Sequence, residues 1–145
     1  MVKYFSFFVF SFLLFNSSCK KSLDSISNTQ LEQYFESNIL NRNFTVSLAL
    51  DSSIDITSNY TGEGFVLLKT DFYHGPLQAT KGGIVYTGSW SCNSDYSQLI
   101  ITLPDSPSEF VFLTRKWRFT SKSLPTMKLA PWGSTAPVVL NMYRQ

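Results

Sequence analysis

From Phe44 onward, short runs in which apolar and polar residues alternate are cut at brief intervals by Gly, Pro, Ser and Asp, and this punctuation constrains the fold most. A period of two places every second side chain on one face of a strand. Phe44, Val46, Leu48 and Leu50 alternate with Thr45, Ser47 and Ala49, which predicts a strand with those four on the core face. Phe65 to Thr70 reads as a second strand. Leu77 to Thr80 turns through Lys81-Gly82-Gly83 into Ile84 to Cys92, a hairpin signalled by the Gly pair. Leu99, Ile101 and Leu103 alternate again until Pro104 and Pro107. Arg115 to Thr120 carries Trp117 and Phe119 on one face, and Met127 with Leu129, then Val138, Leu140 and Met142, complete the series, although Val139 and Tyr143 also mark the other face of the last strand. About eight short antiparallel strands indicate a sandwich or a closed barrel, and closure removes the sheet edges. Ahead of them, Thr29-Gln-Leu-Glu32 has capping-box spacing, and Leu31, Tyr34, Phe35 and Ile39 follow at helical intervals, predicting one short helix over about 29 to 39.

The N-terminal stretch has a different character. Six of the thirteen Phe (5, 7, 8, 10, 12 and 15) fall in the first fifteen residues. Lys3 followed by an apolar run from Tyr4 to Phe15 reads as an export signal, too short to span a bilayer core that needs roughly 20 apolar residues. The run ends in Asn16-Ser17-Ser18-Cys19, which resembles the lipobox of bacterial lipoproteins, with Asn16 where Leu is usual. That resemblance implies cleavage after residue 18, acylation of Cys19 and a membrane partner reached through the lipid. Two or three acyl chains, at about 0.8 kcal/mol per buried methylene, make such attachment effectively permanent. Lys20 stands where an Asp would resemble an inner-membrane retention signal, so the resemblance points to the outer membrane of the cell envelope. Residues 19 to 28 then form a Ser- and Lys-rich tether, and 29 to 145 the domain. With Cys19 acylated, Cys92 has no disulfide partner and reads as a buried, inert thiol in a strand.

Several segments together resemble the lipocalin-like lipoprotein domains of Gram-negative bacteria. They are Phe44-Thr-Val46, then Asp55-Ile-Thr57-Ser-Asn-Tyr60, Gly64-Phe65-Val-Leu67, Tyr86-Thr-Gly88-Ser-Trp90-Ser91, Leu113-x-x-x-Trp117-x-Phe119 and Met127-Lys-Leu129, in order over residues 40 to 143. Phe44 stands where that pattern favours Trp, and Arg115 and Lys116 where it is usually acidic. The resemblance implies a mainly β fold, a small antiparallel up-and-down barrel with one short N-terminal helix. Such an interior is either filled by side chains or holds one small hydrophobic ligand. Phe65, Leu67, Trp90, Leu99, Ile101, Trp117 and Met127 are the candidates to line it.

The same residues read without the resemblance are mostly structural. Gly88, two residues before Trp90, leaves room for the large ring to fold across it, which favours core packing over ligand stacking. Asp55 and Thr57 are expected to bond nearby backbone amides, and Asp51, Asp55 and Glu63 fall short of a calcium site. His74 sits in Tyr73-His-Gly75-Pro76, read as an exposed turn. No motif places a nucleophile with a base, a phosphate loop or zinc spacing, so neither an enzyme nor a cofactor is expected. Basic and acidic residues number 12 and 10, but unevenly: beyond Glu109 lie Arg115, Lys116, Arg118, Lys122, Lys128 and Arg144 with no acid, +6, against −5 for residues 19 to 110. The basic run is a solvated strand face or a patch for anionic lipid or polysaccharide. So small a total charge argues against nucleic acid. Two functional readings stay open: a module binding a small apolar ligand inside the barrel, and a solid-cored structural or interaction subunit that meets another envelope protein.

Overall fold

The computed structural model describes residues 28–121 and 123–145. The expected signal, Cys19 and the tether up to residue 27 lie outside the described residues. Helix α1 (Asn28–Asn38) precedes nine strands: β1 (Asn43–Asp51), β2 (Ile54–Asp55), β3 (Gly64–Leu67), β4 (His74–Lys81), β5 (Ile84–Cys92), β6 (Gln98–Thr102), β7 (Arg115–Ser121), β8 (Thr126–Pro131) and β9 (Val139–Arg144). A 3-10 turn (Thr57–Tyr60) lies between β2 and β3, and a one-turn helix α2 (Phe110–Leu113) between β6 and β7. Each strand from β3 to β9 pairs antiparallel with the next, β3 pairs with β1, and β9 returns to β1 through Phe44↔Arg144 to Leu50↔Val139. The result is a closed eight-stranded antiparallel barrel, with β2 added outside the circuit on β1. The mainly β fold with a short N-terminal helix is therefore the fold the alternation predicts.

Up-and-down connectivity gives the barrel two distinct ends. At one, α1 leads into β1 and the β3–β4, β5–β6 and β7–β8 connections turn; this is the helix end. At the other turn the β1–β3, β4–β5, β6–β7 and β8–β9 connections, which include β2, the 3-10 turn and α2. The interior is filled from both. From the helix end, the Phe35 ring lies 4.6 Å from that of Tyr96 and 5.8 Å from Trp90, with Phe119 edge-on at 6.4 Å. From the other, Phe110 of α2 meets Tyr86 at 5.3 Å and Phe65 at 6.4 Å, while Phe112 meets Trp117 at 5.7 Å. Such tilted and edge-on pairs suit the aromatic quadrupole and add to plain burial.

Several local expectations need correction. Alternation in β1 breaks at a bulge between Val46 and Leu48, where Val46 opposes Met142 and Leu48 opposes Asn141. The extra residue flips the faces. Phe44 and Ala49 are therefore buried, and Leu48 and Leu50, expected inward, are only partly covered. Val138, Leu140 and Met142 are buried, which settles the last strand's inward face. The second strand ends at Leu67 rather than Thr70, and Tyr73-His-Gly-Pro76 is not the turn: β4 already begins at His74. The turn lies earlier, where Asp71 accepts the amides of Tyr73 and His74 at 2.7 and 2.9 Å, the backbone N–H of Tyr73 chiefly holding its carboxyl below the ordinary range. Its second oxygen lies 2.9 Å from the exposed His74 Nδ1. The glycine that makes room beside Trp90 is Gly75, directly opposite it in β4, rather than Gly88. A Cβ on Gly75 would fall 2.0 Å from the Leu68 carbonyl oxygen and 3.0 Å from Trp90 Nε1, whereas one on Gly88 would meet the Thr102 carbonyl at 2.0 Å. Cys92 is half-buried rather than buried, its Sγ 3.8 Å from the Phe72 carbonyl.

Candidate functional site: the cleft end of the barrel

The seven residues expected to line the interior are brought together there. Phe65, Leu67, Trp90, Leu99, Ile101, Trp117 and Met127 are each 3% exposed or less. Both indole N–H groups are already satisfied by protein: Trp90 Nε1 donates to the Leu68 carbonyl at 2.7 Å and Trp117 Nε1 to that of Leu113 at 2.9 Å. None of the seven lines either of the two surface clefts described next.

The larger cleft, about 560 Å³, opens at the end away from α1. Its walls include Asp51 at the end of β1, Tyr60 of the 3-10 turn, Lys81 at the end of β4, Glu109 just before α2, Phe112 and Arg115 at the start of β7. Every one of these sits at a strand end or in a connection, which is how an up-and-down barrel gathers distant residues around one mouth. The Tyr60 hydroxyl donates to the Glu109 carbonyl at 2.8 Å, tying the β1–β3 connection to the β6–β7 connection. Burial, then the nearby charge of Glu63, pushes the Tyr60 phenol well above its ordinary value, so it stays a neutral donor. Arg115 lies over the rings of Phe112 and Trp117, 4.8 and 5.2 Å from their centroids, a cation–π contact that holds the guanidinium at the cleft wall.

Behind the cleft wall lies a charge cluster. Glu63, 2% exposed, places Oε1 2.9 Å from Lys81 Nζ, and Lys81 also pairs with the carboxylate of Glu109. One ammonium thus faces two carboxylates. Among the described residues neither Glu63 oxygen has a hydrogen-bond donor of good geometry, and Lys81 is its ion-pair partner. Glu63 and Gly64 also wall a second cleft of about 400 Å³ with Asn43, Thr45, Thr80 and Gln145, at the seam where β1 and β3 share only two paired residues.

Asp51, Asp55 and Glu63, weighed together as oxygen ligands, have separate tasks. Asp55 is exposed, and Thr57, through its side chain and its amide at 2.9 Å, keeps the carboxyl below its ordinary range. The Thr57 hydroxyl in turn accepts the Ala49 amide at 2.9 Å. Glu63 faces Lys81, and Asp51 stands at the cleft wall. In the sequence Glu63 groups with Asp51 and Asp55, not with Lys81 or Glu109. No spacing rule connects positions 63, 81 and 109; only closure of the sheet brings them together. The basic residues Lys116, Arg118 and Lys128 stand exposed on the outer wall of β7 and β8.

Among known proteins, no family model, no curated sequence and no solved structure matches this chain.

Proposed function

We propose that the protein is a lipid-anchored, lipocalin-like component of the cell envelope, attached through Cys19, whose barrel is a solid scaffold and whose recognition takes place at the cleft end. One observation carries the choice between the two readings that the sequence leaves open. The interior is occupied from both ends, by Phe35 against Trp90 on one side and by Phe110 against Phe65 and Phe112 against Trp117 on the other, and all seven inward residues belong to one buried cluster with those rings. The cleft end supplies what the interior lacks: an open volume with aromatic, acidic and basic groups converging on it.

Two measurements test this. Mass spectrometry of protein taken from membranes is expected to find Cys19 diacylated and N-terminal, with Cys19→Ala released from the membrane fraction. Titration with a fluorescent fatty acid is expected to give no saturable uptake into the interior. An unmodified Cys19 defeats the anchor. Saturable uptake that quenches Trp90 and Trp117 defeats the solid core and restores the small apolar ligand.

A further inference from the structure

All four connections at the cleft end present a large apolar side chain to water. Ile54 is 67% exposed in the β1–β3 connection, Ile84 58% beside Val85 at the β4–β5 hairpin, and Trp132 43% in the β8–β9 loop, with Val111 standing out from α2 between β6 and β7. The other large exposed apolar residues among those described, Tyr34 on α1 and Tyr143 in β9, each carry a hydroxyl. Single exposed apolar residues are ordinary. One on every connection of a single rim is a pattern.

Its layout differs from that of a protein-binding patch. A protein interface has an apolar centre and a polar margin. Here the apolar tips stand on four separate connections, and the cleft among those connections carries Asp51, Lys81, Glu109 and Arg115 beside the apolar Ile56, Val111 and Phe112. A bilayer accepts such a layout, because each tip can sink independently to the boundary of headgroups and acyl chains, a depth that Trp favours. The cleft carries both signs of charge, which complements a headgroup that does so too. Arg115, its guanidinium within about 5 Å of two rings, suits a phosphate, and Asp51 suits an ammonium.

We infer that the cleft end docks on a zwitterionic phospholipid bilayer, with Ile54, Ile84, Val111 and Trp132 inserted at the headgroup boundary and a headgroup seated between Arg115 and Asp51. This rests on the proposed placing of recognition at that rim. Nine residues of chain from Cys19 to Asn28 reach at most about 30 Å, the length of a nine-residue strand, so an acylated Cys19 and the cleft end can share one membrane.

The test uses the full protein on phosphatidylethanolamine–phosphatidylcholine vesicles with brominated acyl chains. Trp90 and Trp117 are sealed in the core, so the contact quenching reports Trp132. Quenching is expected, and it should vanish in Trp132→Phe. Exposed-site changes Ile54→Ser, Ile84→Ser and Val111→Ser, combined, should weaken bilayer partitioning of the rim about tenfold or more. Protein that floats with the vesicles while Trp132 stays unquenched overturns the docking and leaves the anchor standing. Quenching that persists when Cys19 proves unacylated upholds the docking and removes the anchor. Quenching unchanged in the triple variant overturns the role of the tips. Equal or greater quenching on phosphatidylglycerol overturns the zwitterionic assignment.

Discussion

The two ends of this barrel are closed by different physics. At the helix end, Phe35 of α1 and Ile39 and Leu40 of the turn after it are buried in the core, and α1 adds polar ties: Glu32 accepts the Tyr73 hydroxyl, Lys69 Nζ lies 2.5 Å from Glu36, and Arg144 reaches Asn38. At the cleft end, α2 contributes a single turn, and a lysine between two carboxylates holds the connections together. The first end carries its apolar groups inward; the second shows some of them to solvent around a charged mouth. One end therefore stabilises, and the other is left available for contact.

That contrast can be broken or sharpened by substitution. Trp90→Ala, beneath α1, should cost about 3 to 5 kcal/mol in denaturant unfolding, because it empties a site already packed by Phe35 and Gly75. Lys81→Met at the cleft end should cost about 3 kcal/mol by leaving buried Glu63 uncompensated. A loss well below about 1 kcal/mol in denaturant unfolding would show that Glu63 is not stranded. Gly75→Ala should cost about 1 to 3 kcal/mol, since its Cβ meets the backbone of Leu68. Gly82→Ala, with nothing near its Cβ, should cost only about 1 kcal/mol for its positive φ of 54°. Trp132→Ala should move stability by about 0.5 kcal/mol or less while abolishing any membrane signal from that rim. Acid should act weakly at both ends. Asp71 and Asp55 have lowered values when folded, so their contributions are full above the unfolded carboxylate range and fade as pH falls through the folded values. Asp71→Asn and Asp55→Asn should each flatten an acid titration of stability at its low end.

Much of the barrel was legible in the chain because period-two alternation is local. The hairpin at Gly82-Gly83, the inward Leu99 and Ile101, and the Trp117 and Met127 faces follow from neighbours a few residues apart. What could not be read depends on residues far apart. The bulge between Val46 and Leu48 is set by the register with β9, nearly one hundred residues later, and it turned Leu48 and Leu50 from their expected face. Beside Pro76, Gly75 has the look of a turn residue in the sequence, because its reason for being glycine is the Leu68 carbonyl across a tight connection. α2 is too short for helical periodicity to announce it, and its Phe110 and Phe112 decide whether the interior is open. The Glu63, Lys81 and Glu109 cluster and the apolar rim share that character. Both are properties of one end of a closed sheet, and no window of sequence contains an end.

The β1–β9 seam has a consequence for how the molecule is made. Until β9 arrives, the middle of β1 has no strand partner, since β3 holds only its first two residues and β2 only its last two. Newly made chain must therefore wait, with two raw sheet edges, for strands roughly one hundred positions apart to find each other, a search that is slow by its topology. During that interval the unfinished body is prone to join its neighbours edge to edge. Any cell that makes this polypeptide has reason to shield it until the seam has zipped.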